Sequence, residues 1–219
     1  MPRAVLIGGT GMIGRAAALA LAEDGWEVVG VSRSGVLPEG LAELGVESVV
    51  ADREDDAQLR AALGAGADVV YDSVAMHRAH GEQLNGLDGL VGSLVVISTA
   101  SVYADDEGRA FDGEGGDPPR LPVPILETQQ TVEPGDATYS TQKAELEQTL
   151  LAGPLPSTLI RACAVYGPGA KNPRELFFVK RAFDGRRRIA LAWNGESRFN
   201  TASVANLAEL IRLAAARPG

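Results

Sequence analysis

The sequence predicts an α/β fold built on a doubly wound parallel sheet, and two observations carry that expectation. The first is the opening, where the apolar run Ala4-Val5-Leu6-Ile7 passes into Gly8-Gly9-Thr10-Gly11-Met12-Ile13-Gly14 and then into the alanine-rich run Arg15 to Ala22. That order reads as a buried strand, a glycine turn and a helix. The second is the alternation of short β-branched runs with helix-like ones along the chain that follows. Parallel strands joined by right-handed helical crossovers produce that alternation, and the resulting sheet is of the Rossmann type.

Taken in order, Trp26 to Val31 is the second strand and Val46 to Ala51 the third, after a helical patch from Gly40 to Leu44. Asp55 to Leu63 forms a helix with Ala57, Leu59, Ala62 and Leu63 as its apolar positions. Asp68 to Tyr71 is the fourth strand and Ser93 to Ser98 the fifth, separated by a weaker helical segment from Arg78 to Val91. A long polar stretch, Ala104 to Asp136, is rich in proline, glycine and acidic residues. A loop of that length inside a compact domain is usually a lid or a binding segment. It leads into a helical run from Tyr139 to Leu151.

Length and composition bound the rest. With 219 residues and 45% hydrophobic content, the chain can bury one substantial core and a small appended lobe. The expected division is a nucleotide-binding unit over 1–162 and, over 163–219, a partial substrate lobe with a returning helix. A net charge of −9 and a pI near 4.8 weigh against general affinity for nucleic-acid phosphates or anionic membranes. A small molecule is therefore the expected partner and a homodimer the expected assembly. Cys163 is the single cysteine, which excludes an internal disulfide and fits a reducing cytoplasm. The N-terminus lacks a signal-peptide pattern and no apolar run reaches membrane-spanning length. No metal site is expected: His77 and His80 are the two histidines, and solvent-facing positions after the fourth strand are the simpler reading for both.

Glycines at 9, 11 and 14 satisfy the dinucleotide fingerprint. One allows the tight turn, one lets the backbone approach a pyrophosphate, and one permits close helix–strand packing. The helix N-terminus behind them offers free N–H groups and a positive dipole end to phosphates. After the second strand, an NAD site of this kind usually carries a carboxylate for the ribose hydroxyls. Here stand Ser32-Arg33-Ser34, a guanidinium between two hydroxyls, which suits a 2′-phosphate and favours NADP over NAD. After the third strand, Asp52 is placed to touch the adenine, and Arg53 to reach the adenine or its phosphate.

Residues able to do chemistry begin at the end of the fifth strand, the edge where open α/β sheets hold ligands. Ser98-Thr99-Ala100-Ser101-Val102-Tyr103 lies there. Beyond the loop, Tyr139 and Lys143 stand four apart on one helix face. A positive charge one turn along eases transfer of the phenol proton. Lys171, Arg174, Lys180, Arg181 and Arg186 to Arg188 form a basic cluster, read by default as a solvated helix face and alternatively as a hold for a substrate phosphate or RNA.

Together these motifs resemble the extended branch of the short-chain dehydrogenase/reductase superfamily, the NAD(P)-dependent epimerases, dehydratases and reductases. The resemblance implies the family's glycine motif at Gly8, Gly11 and Gly14 and its catalytic tyrosine and lysine at Tyr139 and Lys143. Thr99 matches the catalytic serine or threonine. It further implies cofactor contacts from Thr10, Met12, Ile13, Ser32, Arg33, Asp52, Arg53, Ser73, Val74 and Ser98. Leu159-Ile160-Arg161 and Val165-Tyr166-Gly167-Pro168-Gly169 look like the strand and turn that lead to a substrate lobe, here small and truncated.

Departures from the pattern narrow the expectation. Ala100 and Ser101 replace the Asp-Glu pair of the dehydratases, and Ala164 replaces the asparagine that holds a nucleotide-sugar diphosphate. Phe199 to Asn206 replaces the usual histidine-valine-aspartate region. The implied function is hydride transfer at a hydroxyl or carbonyl carbon of a sugar-like or small carbonyl substrate. The competing expectation is a non-catalytic dinucleotide-binding scaffold or redox sensor that binds RNA or protein.

Overall fold

A computed structural model describes residues 1–113, 117–196 and 200–218. Three residues of the expected loop, 114–116, lie outside these, as do 197–199 and Gly219 of the expected C-terminal unit. The first four strands are β1 (Arg3–Ile7), β2 (Glu27–Ser32), β3 (Glu47–Val50) and β4 (Ala67–Asp72). β5 (Val91–Thr99) and β6 (Ser157–Ala162) complete one parallel sheet in the order β3-β2-β1-β4-β5-β6. This is the doubly wound Rossmann arrangement, with the order reversing between β1 and β4.

Both faces of the sheet are covered, so its strands are apolar without alternation. Val5 and Ile7 of β1 enter the core under α2 (Asp56–Leu63), α3 (Arg78–Asn85) and α4 (Tyr139–Leu151), where Leu59, Leu84, Leu146 and Leu150 are buried. Ala4 and Leu6 enter the opposite core under α1 (Met12–Glu23) and α6 (Val204–Ala216), with Ala17, Leu21 and Ile211. Small residues on α1 let α6 pack directly against it. The last helix thus lies on the sheet and not with the small lobe. That lobe is a two-stranded parallel ribbon, β7 (Ala164–Tyr166) and β8 (Thr201–Ser203), together with α5 (Leu176–Phe183). None of the helices is long and apolar enough to cross a membrane among the described residues.

Two boundaries differ from the expectation. The weak helix after β4 stops at Asn85, and β5 begins at Val91. The physical reason is glycine. Gly89 takes a positive φ of +78°, and a Cβ on Gly92 would lie 2.7 Å from the Asp68 carbonyl. With hydrogen there, β5 closes onto β4 earlier than the β-branched run predicts. The patch Gly40 to Leu44 forms only a short 3₁₀ turn, Ala42–Leu44.

The stretch between β5 and α4 is long but closed at its base. Val132 N donates to the Val102 carbonyl, Ala104 N donates to that of Gln130, and Tyr103 pairs with Thr131. Asp105 is 2% exposed and accepts from the backbone N–H groups of Arg120, Arg109 and Glu107 and from the Arg109 guanidinium. These donors, Arg120 first, hold its carboxyl well below the usual range.

The two faces of α4 should differ sharply in energetic weight. Leu146 is fully buried, so Leu146→Ala should lower the unfolding free energy by about 3 kcal/mol through lost transfer energy and the cavity left behind. Leu151 is 65% exposed, and its replacement should change stability by no more than about 0.5 kcal/mol. Urea denaturation of the two variants decides it, and equal losses would contradict the packing.

Candidate active site

The glycine turn sits between β1 and the first residue of α1. Gly8 has φ +81°, which a side chain would make costly. Gly9 N donates to the Leu6 carbonyl and Gly11 N to that of Gly8. A Cβ on Gly14 would strike the Gly8 carbonyl and the Gly9 backbone, so glycine there is what lets the helix approach the strand. Gly11 caps α1 without any side-chain acceptor, leaving N–H groups of the first turn for a ligand.

Beside this turn lies a cleft of about 760 Å³. Of the residues expected to hold a cofactor, Gly8, Thr10, Gly11, Ser32, Arg33, Asp52, Arg53, Ser73 and Val74 line it. Met12, Ile13 and Gly14 form the first turn of α1 behind them. Sequence reasoning missed Ile7, Val31, Ser34, Ala51, Glu54 and Lys171 among the lining residues, and it left Lys171 in the basic cluster. The nearest signal was the turn Gly167-Pro168-Gly169 just before it.

The walls of the cleft carry opposite kinds of arginine. Arg33 is exposed, with Ser32 Oγ accepting from Gly35 N at 3.1 Å to shape the turn around it. Arg53, expected to reach the adenine or its phosphate, lines the cleft but is 5% exposed and donates to Asp72 Oδ2 at 2.8 Å. Asp72 is fully buried, and its other oxygen accepts from Val74 N and Ala75 N at 2.7 and 2.8 Å. Two buried donors of Arg53, Nε and Nη1, have no protein partner. Such orphaned donors are costly unless a ligand or water accepts them. A glycine cradle that a side chain would fill, an uncapped helix start and unpaired guanidinium donors all fit a dinucleotide.

The catalytic candidates lie at the carboxyl end of β5 and on α4, which packs against it. Thr99 ends the strand, and its Oγ1 accepts from Ser101 N at 3.2 Å, starting a 3₁₀ turn over Ala100–Val102 that packs on α4. Tyr139 is the first residue of α4, held by a Thr138–Thr141 capping box, and is 45% exposed. Its hydroxyl makes no hydrogen bond among the described residues. Lys143 is buried and donates to the carbonyls of Ala75 at 2.7 Å and Ile97 at 3.0 Å. Burial lowers its pKa, and the Asp72 and Glu147 carboxylates pull it back up.

Ser98 has a different place. It is buried and donates to Glu147 Oε1, one turn beyond Lys143, and it does not line the cleft. Glu147 in turn accepts from Arg161 Nη2 at 2.7 Å, and that guanidinium lies over the Tyr103 ring, 4.9 Å from its centre. This second buried network fastens α4 to β5 and β6. Asp112 of the long loop accepts from Ser140 N at 2.9 Å, next to Tyr139.

With that geometry in hand, residues 4–89 match the sequence profile described as the NAD dependent epimerase/dehydratase family. The chain is 31% identical over 237 aligned positions to a 2-alkyl-3-oxoalkanoate reductase of Stenotrophomonas maltophilia (strain K279a). The chain is thus similar to this family over its N-terminal part and to a reductase along nearly all of its length. That alignment takes in 98% of this chain and 66% of the reductase, so the chain spans slightly less than two thirds of its relative's length.

Solved structures share the fold. The UDP-N-acetylglucosamine 4-epimerase of Bacillus cereus superposes with a TM-score of 0.74 at 18% identity, over 100% of this chain and 72% of that one. The Bordetella bronchiseptica enzyme WbmH, solved in complex with NAD+, gives 0.72 at 21% identity, over 100% and 74%.

A further residue departs from expectation. His80, expected to face solvent, is 6% exposed. Its Nδ1 accepts from Met76 N at 2.9 Å, and its Nε2 lies 3.1 Å from the Glu54 carboxylate, so the proton sits on Nε2. Burial pushes its pKa below the ordinary histidine value, with Glu54 opposing. The folded state therefore binds this proton less readily than the unfolded chain does. Stability should be full above about pH 6.5, where both states are neutral, and should fall as pH drops below it. Urea melts at pH 7.5, 6.5 and 5.5 should show that decline, and His80→Asn should flatten it. A wild-type profile level across this range would contradict the assignment.

Proposed function

We propose that this chain is an NAD(P)-dependent oxidoreductase moving hydride to or from a carbonyl or hydroxyl carbon, with NADP preferred. The observation that carries the reading is one run of buried bonds, Arg53–Asp72–Ala75–Lys143–Ile97, joining the glycine-turn cleft to the strand end that bears Thr99. A bound dinucleotide supplies the carbon that donates or accepts hydride. Tyr139, exposed and with its hydroxyl unengaged, passes a proton to or from the substrate oxygen. Thr99 donates to the same oxygen. Lys143 keeps one of its three N–H donors after its two carbonyl bonds, enough to hold a cofactor ribose hydroxyl.

A carbonyl substrate is supported by the name of the 31% identical relative, a 2-alkyl-3-oxoalkanoate reductase. Ala164, at the start of β7, adds to this, since nucleotide-sugar enzymes of the family carry an asparagine there. Residues of the long loop tied to α4 through Asp112 border the substrate space on this reading.

Two measurements test the proposal. Arg33→Ala should weaken NADP about tenfold by removing a charge-assisted phosphate contact, while NAD binding stays nearly unchanged. Titration of both cofactors into both proteins reads this directly, and equal losses would sink the NADP preference. Tyr139→Phe keeps the ring and removes the proton, so turnover of a β-keto acid or other carbonyl with NADPH should fall about 10²–10⁴-fold. Lys143→Met should lower both rate and cofactor affinity. Wild-type turnover by Tyr139→Phe would refute the catalytic assignment.

A further inference from the structure

The cleft gathers three cations in a chain whose net charge is −9. Arg33 and Arg53 come from the ends of β2 and β3, as sequence reasoning expects. The third, Lys171, arrives from the C-terminal part of the chain, and two glycines set its position. Gly167 and Gly169 have φ of +134° and +89°, and Ala170 N donates to the Gly167 carbonyl at 3.2 Å. This tight turn brings the chain back over α1: a Cβ on Gly169 would lie 3.8 Å from Met12 Cγ. Lys171, two residues on, therefore reaches the cleft beside the uncapped first turn of α1.

Among the described residues that line the cleft, no other side-chain cation stands at that end. Arg15 is the one basic residue of α1, and it lines the groove on the helix's other side. Arg53 is engaged with Asp72, and Arg33 stands beyond β2. The carboxylates of the cleft are also occupied, Asp52 accepting from Glu54 N and Glu54 facing His80. A diphosphate laid on the glycine turn meets backbone N–H dipoles and, from outside, a single ammonium.

We propose that Lys171 is a cofactor-binding residue that pairs with the dinucleotide diphosphate, carried onto the α1 N-terminus by the Gly167–Gly169 turn. This rests on the dinucleotide reading above and adds a contact that the N-terminal motifs do not contain. Because NAD and NADP share the diphosphate, Lys171 acts on both, whereas Arg33 separates them.

Calorimetric titration of NADP and NAD into wild type, Lys171→Met, Lys171→Arg and the exposed control Lys180→Met tests this. Lys171→Met should weaken both cofactors alike, about fivefold at low salt, with the loss shrinking as salt is raised. Lys171→Arg should restore most of the affinity, Lys180→Met should match wild type, and melting without cofactor should be unchanged throughout. Unchanged affinity in Lys171→Met, with wild type binding normally, would overturn the proposal and leave the dinucleotide reading intact. A loss confined to NADP would also overturn it, assigning the contact to the 2′-phosphate. Wild type binding neither cofactor would overturn both readings.

Discussion

Asp72 ends the central strand β4 with no solvent exposure, holding two backbone N–H groups on one oxygen and the Arg53 guanidinium on the other. The carbonyl of Ala75, whose N–H it fixes, accepts from Lys143, which also reaches Ile97 on β5. A single carboxylate thereby sets the relative positions of the ends of β3, β4 and β5 and the start of α4. Such a buried pair adds little net stability over an apolar replacement, because desolvation offsets most of the attraction. Its effect is geometric. Both halves of the site, the phosphate-binding turn and the strand end at Thr99, stand in register because one buried charge has to be satisfied from both sides.

Much of the scaffold was legible because parallel strands covered on two faces must be continuously apolar, and this chain spaces such runs with helices between them. The glycine turn was legible for a similar reason: positive φ and close approach leave glycine as the economical choice at 8 and 14. Strand ends were harder, since Val91 and Gly92 join β5 through the absence of a side chain, which hydrophobic patterning does not register.

The candidate site was legible where one local motif supplies the residue and obscure where distant segments meet. Arg53 read only as a contact to the adenine or its phosphate, because its buried partner Asp72 lies 19 residues away on another strand. Ser98 read as a cofactor contact, while Glu147, 49 residues on, takes its hydroxyl. His80 read as solvated because nothing local announces the Met76 N–H and Glu54 that enclose it. Lys171 looked like one of several surface cations, and only the turn at Gly169, close to Met12, brings it to the cleft. In each case the missing information is a long-range contact between polar groups, whose pairing composition and periodicity do not encode.

The closed base of the stretch between β5 and α4 has a consequence for how such a protein changes over generations. Backbone bonds of Val102 to Val132 and Ala104 to Gln130 bring the two feet together regardless of what lies between them. The entropy of closing such an excursion rises only with the logarithm of its length, about 0.6 kcal/mol per doubling. Away from the turns held by Asp105 and Asp112, residues between the feet can therefore be lengthened, shortened or exchanged at small cost to folding, and Thr99 and Tyr139 need not move. The chemistry and the surface next to it are separately heritable.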